Sequence, residues 1–177
     1  MNPYPRRAAK VLAAASLTAL AGCVSTPRGV SEPIAAAPQP RFDALAFFTG
    51  HSEGRAKLKK IFSAPVDVHV ISDGSVEDGT LHLVQTVQEG AKPPRQRSWT
   101  MRETSPGHYS GTLSDAEGEV TGETLGNRLH LSFKMKGGFP TQQWLTLSPD
   151  GHRAHNVMKV RKLGLTVGVL VEDIRKD

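Results

Sequence analysis

Cysteine is almost absent: the 177 residues contain one, Cys23. An internal disulfide framework needs pairs, so this chain has none. If that one thiol is used at the N-terminus, the folded part holds no other, which excludes a cysteine nucleophile, Cys-ligated zinc and iron–sulfur clusters there. Long apolar runs are missing too. The longest N-terminal one, Val11 to Leu20, is shorter than the roughly 20 residues that cross a bilayer as a helix. Aromatic residues make up only 6%, and no Asp or Glu occurs among the first 22 residues, where Arg6, Arg7 and Lys10 lie. Those three cations account for much of the net charge of +5. From Cys23 onward 19 basic groups face 17 acidic ones, a balance of +2, so the high isoelectric point of 9.6 is no sign of nucleic-acid binding.

What the N-terminus does have is an ordered set of signals. A basic stretch is followed by a short apolar run and then by small residues, the pattern of a secretion signal. It ends in Leu20-Ala21-Gly22-Cys23, which resembles the lipobox of bacterial lipoproteins. The resemblance implies diacylglyceryl attachment at Cys23, cleavage before it and acylation of the new amine. Two or more acyl chains make a stable anchor where one does not. Val24 stands where Asp would favour inner-membrane retention, so the expected location is the periplasmic face of the outer membrane. Three parts are expected: a signal peptide over 1–22, a lipidated Cys and Pro/Ala-rich tether over 23–41, and one β-barrel domain over 42–177.

The tether, VSTPRGVSEPIAAAPQP from Val24, has no periodic apolar face. A short helical turn fits Phe42 to Phe48, with Phe42, Leu45 and Phe48 on one face and Gly50 ending it. Beyond Gly54 the chain alternates with period two in short runs. Leu81, Leu83, Gln85 and Val87 alternate with His82, Val84, Thr86 and Gln88; Leu129, Leu131, Phe133 and Met135 do the same. Turns fit at Ser72-Asp73-Gly74, Asp78-Gly79, Pro106-Gly107, Gly126-Asn127, Gly137-Gly138 and Asp150-Gly151. The closing run from Leu163 to Val171 is nearly all apolar, and its β-branched residues favour one central strand. These features predict an all-β antiparallel barrel of eight to ten strands in up-and-down order, which leaves no open edge.

The order Phe47-Phe48-x-Gly50, Gly54, Gly79-Thr80-Leu81-x-Leu83, Arg97-x-Trp99, Tyr109-x-Gly111, Gly118-x-x-x-Gly122 and Gly126-Asn127 resembles an uncharacterised proteobacterial lipoprotein family, domain of unknown function 3833. Asn156, Met158, Lys162, Gly164 and Val167-Gly168 extend the match toward the C-terminus. The resemblance implies a calycin-like, lipocalin-like barrel and supplies no activity. Where the family pattern has Asp-Asp-Trp-Met, this chain has Gln142-Gln143-Trp144-Leu145, keeping the tryptophan without the two carboxylates.

Chemistry-bearing motifs are sparse. His152-x-x-His155 is the closest histidine pair, but in a strand positions i and i+3 point to opposite faces, which argues against a metal site. There is no HExxH, G-x-S-x-G, P-loop or G-x-G-x-x-G, so no catalytic residues and no cofactor are expected. Asp115, Glu117, Glu119 and Glu123 read as a solvated face paired with Arg95, Arg97 and Arg102. Lys57, Lys59 and Lys60 form a small basic run that reads first as a solvated strand face, with contact to anionic head groups as the alternative. What a barrel does offer is an interior for an apolar ligand. Expected pocket-lining residues are Trp99, Met101, Phe133, Trp144 and Met158, with Phe62, Leu81, Leu83 and Leu131 beside them. The expectation is an envelope lipoprotein that meets the membrane through its anchor and holds a small hydrophobic ligand or lipid. A structural factor contacting another envelope protein is the alternative, and a hydrolase ranks third.

Overall fold

A computed structural model describes residues 32–177, so the lipobox and Cys23 lie outside the described residues. One helix, α1 (Ala44–Phe48), precedes ten strands: β1 (Gly50–Lys60), β2 (Val66–Glu77), β3 (Thr80–Glu89), β4 (Arg95–Ser105), β5 (His108–Leu113), β6 (Val120–Leu125), β7 (Arg128–Met135), β8 (Phe139–Leu147), β9 (Arg153–Lys162) and β10 (Leu165–Lys176). Each strand pairs antiparallel with the next, and β1 pairs with β10, for example Gly54 with Ile174. The result is a closed ten-stranded barrel in which every strand edge is hydrogen-bonded, as the even spacing of turns predicts.

Period-two alternation decides which side chains enter. In β3, Leu81, Leu83, Gln85 and Val87 are buried while His82 and Val84 are exposed. The interior is not uniform along the barrel axis. At the end where β1 starts, a large cluster including Phe42, Phe47, Leu81, Leu129 and Leu145 fills it. At the other end a small cluster of Ala56, Val68, Val70 and Val87 lines the walls only.

The filled end is stoppered by α1. Asp43 caps the helix by accepting from the Ala46 N–H (3.0 Å), and Phe42 and Phe47 lie beneath the strands, their rings 5.2 Å apart. The buried face is therefore Phe42, Ala44 and Phe47 rather than the expected Phe42, Leu45 and Phe48, because helix geometry begins only after Asp43. Lys176 Nζ donates to the Ala46 and Phe47 carbonyls (2.8 and 3.1 Å), placing a cation at the negative end of the helix.

Three further expectations change. Ser72-Asp73-Gly74 is not a turn but part of β2, paired with β1 and β3 on either side. The apolar run from Leu163 is a strand only from Leu165 onward, within β10: Leu163 (φ 49°) and Gly164 (φ 79°) form the two-residue turn between β9 and β10. Contacts with the barrel also begin before Phe42. Ala37 exchanges hydrogen bonds with Asn127, and Glu32 pairs with Lys159 on the outside of β9 (2.8 Å).

Candidate functional site

The unfilled end of the barrel encloses a cavity of about 590 Å³. Its walls are aliphatic, with Leu58, Val68, Val70, Val87, Val160 and Leu170 among them, and Met135 and Phe139 on the opposite side. Several of these point inward yet keep partial exposure, because the space they face is empty. Lys60, Ser63, Arg95 and Lys136 line the mouth and are exposed, so the cavity reaches solvent at this end. Its volume falls within the usual range for pockets that take one small ligand.

The floor is polar. Arg97, Gln143, Asn156 and Glu172 project into it from β4, β8, β9 and β10. Glu172 is 6% exposed and its Oε2 accepts from Asn156 Nδ2 (2.8 Å). Arg97 Nε and Trp99 Nε1 both donate to Gln85 Oε1 (2.8 Å each), and Gln85 Nε2 donates to Ser72 Oγ (2.9 Å). The Arg97 side chain lines the cavity beside its bond to Gln85. Asn156 Oδ1 is buried without a hydrogen-bond partner among the described residues. Such an atom costs free energy unless something donates to it.

Electrostatics follow from burial. Desolvation pushes the Glu172 carboxyl above its ordinary range, against smaller opposing effects from the Asn156 bond and the Arg97 charge. The same loss of water pushes Arg97 down, while the Glu172 and Asp115 charges hold it up. A guanidinium starts so high that it remains a cation at any ordinary pH. The floor thus presents one cation and one carboxyl inclined toward neutrality.

Of the five residues expected to line a pocket, Met158 reaches the cavity. Trp99, Met101 and Phe133 also point inward, but they belong to the core below the floor, where Trp99 and Met101 line only a void of about 30 Å³ and Trp99 meets Phe133 edge to face at 5.7 Å. Trp144 is outside the barrel. Thr141, Gln143 and Leu145 take the inward positions of β8, so Trp144 faces out, stacked on His130 at 5.0 Å with Lys159 Nζ 5.9 Å from its ring. Phe62 is in the β1–β2 turn and 95% exposed. Leu81, Leu83 and Leu131 belong to the filled core.

Arg97 was expected on the outer face with the acidic run. Arg95 and Arg97 both share the inward face of β4 with Trp99 and Met101; Arg95, at the rim, pairs with Asp115 (2.5 Å), Arg97 lies at the floor, and Glu117 pairs with Lys134 (3.2 Å). The same rule marks the other floor residues missed from sequence. Asn156 lies two before Met158, Gln143 two before Leu145, and Glu172 two after Leu170. His155 bonds Asp173 on the outer face (2.8 Å), and among the described residues no group of three or more His, Cys, Asp or Glu is placed to hold a metal.

The profile of a family described as "Protein of unknown function (DUF3833)" matches residues 17–176. The chain belongs to this family. The DUF3833 barrel also resembles solved structures. One is the S-type phycobiliprotein lyase CPES from Guillardia theta, at TM-score 0.58 and 6% identity over 75% of this chain and 90% of that one. Another is Rv2717c from M. tuberculosis, at TM-score 0.58 and 15% identity over 76% and 95%. At such identities the likeness is one of fold, a calycin-type barrel. No curated protein matches the DUF3833 chain.

Proposed function

We propose that this protein is a lipid-anchored envelope protein whose barrel holds one amphiphilic molecule, its acidic head at the floor and its apolar body along the aliphatic walls. The observation that carries the reading is Arg97: a cation at the polar floor of a cavity whose walls are aliphatic. A charge so placed is best satisfied by an anion that brings its own apolar surface, as a fatty acid or similar monoanionic lipid does. Asn156 Oδ1 supplies an unused acceptor for a hydroxyl or for a protonated acid. Glu172, inclined to be neutral, would not repel the head group.

Lipidation at Cys23 completes the reading. The nine residue steps from Cys23 to Glu32, which meets Lys159 on the barrel, would span at most about 32 Å. Native mass spectrometry on full chain extracted in mild detergent tests both parts. The expected spectrum shows a mature protein starting at an acylated Cys23, with a second, non-covalent lipid mass lost on activation. A chain with an unmodified N-terminus would overturn the anchor, and a chain that neither carries nor takes up a lipid would overturn the cavity reading.

A further inference from the structure

Two apolar side chains stand almost wholly in solvent at the mouth of the cavity. Phe62, in the β1–β2 turn, is 95% exposed and Leu163, in the β9–β10 turn, 94%. Because β10 pairs with β1, these two turns are neighbours on one wall. Both residues adopt positive φ, 58° and 49°, where a bulky side chain is strained. The comparison within the fold is direct. The β2–β3 turn at the filled end has the same two-residue form, with Asp78 (φ 49°) and Gly79 (φ 71°), and places there a residue that tolerates the conformation. At the mouth the matching position holds Leu163, which is both harder to fit and exposed, and Leu165 follows it at 53% exposure.

Charge completes the pattern. Lys59 and Lys60 precede Phe62, and Arg161 and Lys162 precede Leu163. Two carboxylates lie at this end of the wall, Glu89 paired with Lys60 (2.5 Å) and Lys92 (3.0 Å) and Asp67 paired with Lys57 (2.6 Å), which leaves Lys59, Arg161 and Lys162 without a carboxylate partner among the described residues. Across the mouth, Asp115 and Glu117 of the β5–β6 connection pair with Arg95 and Lys134, so charge on that side is largely balanced. The Glu32 to Lys159 contact brings the N-terminal segment to the outside of β9, on the basic wall.

We infer that the Phe62 and Leu163 turns dock the mouth of the barrel onto an anionic bilayer. Two separate apolar tips beside cations fit the boundary between head groups and acyl chains, where apolar burial and attraction to anionic lipid add together. A stable protein interface instead needs about 800 Å² of contiguous surface on each partner, which two isolated side chains do not make. Docking in this pose opens the cavity toward the lipid that fills it. That last consequence rests on the proposed lipid binding, whereas the docking itself rests on the tips and their charges.

Labelling the tips tests this. The full chain with Cys23→Ala carries a nitrobenzoxadiazole probe on Phe62→Cys, on Leu163→Cys, or on Asp78→Cys at the filled end as control. On phosphatidylglycerol-rich vesicles the two tip probes should shift to the blue and be quenched by acyl-chain-brominated lipid, and the Asp78 probe should do neither. High salt, or Lys60→Glu with Lys162→Glu, should bring the Phe62 and Leu163 signals down to the control level. Tip probes that stay as water-exposed as the control would overturn docking, even if the cavity still takes up a fluorescent lipid. A blue shift that appears without vesicles as protein concentration rises would identify a second copy as the occupant and overturn it too.

Discussion

The carboxylate of Glu172 occupies the space that a side chain at residue 54 would need. A Cβ built on Gly54 would lie 2.1 Å from Glu172 Oε1 and 3.0 Å from its Cδ. Gly54 is in mid-strand on β1, where a glycine weakens a strand, and its use here is to admit the buried acid from β10. Gly54→Ala should therefore push Glu172 out of place and break its bond to Asn156, at about 1–3 kcal/mol measured by chemical denaturation. With Glu172→Ala already present the same change should cost little, and an equal cost in both backgrounds would contradict the packing argument.

Glu172→Gln should make stability differ with pH in a known direction. Burial raises the folded-state value above the unfolded 4.5, so the native protein holds its proton over a range where the unfolded chain has lost it. Any stability from that proton is fully present below the unfolded value and is lost as pH rises through the folded one. The Gln variant has no such loss. Its melting temperature relative to wild type should rise with pH across that window and level off above it; a difference that is flat or falls would contradict the assignment.

Gln85 accepts from two donors at once, the Arg97 and Trp99 nitrogens. Gln85→Met keeps volume but leaves a buried indole N–H unpaired and frees Arg97 to move. A loss of at least about 2 kcal/mol is expected, with a change in Trp99 emission in a Trp144→Phe background that isolates it. Unchanged stability and emission would show that Trp99 has another partner.

Leu163→Asn should stabilise the barrel by about 0.5–1 kcal/mol, because Asn tolerates the positive φ that Leu163 is forced to adopt. Thermal unfolding of the pair measures it. The same substitution removes an apolar tip, so a gain in melting temperature should accompany weaker binding to anionic vesicles.

The barrel itself is legible from sequence because period-two alternation and the spacing of turns repeat over a hundred residues, and each repeat supports the next. Which layer of the interior is filled is not. Trp99, Met101 and Phe133 read as pocket residues since they are large, apolar and inward, and only the helix α1 plug explains why their end is solid. Trp144 was misplaced by ranking residue type above register: Leu145 and Leu147 on the same strand already claimed the inward positions. The floor was missed for the opposite reason. Arg97, Gln143 and Glu172 are polar residues at inward positions, and an alternation search that scores only apolar residues passes over them, although a polar residue in register with the core is the more informative signal.

The head-group role of Arg97 can be measured against its own control. A fluorescent fatty acid and the fatty alcohol of the same chain length are titrated into the full-length protein and its Arg97→Met variant. Charge recognition at the floor requires the variant to lose about tenfold to a hundredfold in affinity for the acid while binding the alcohol as wild type does. Equal losses for both ligands, or no loss for the acid, would contradict an anionic head group at Arg97.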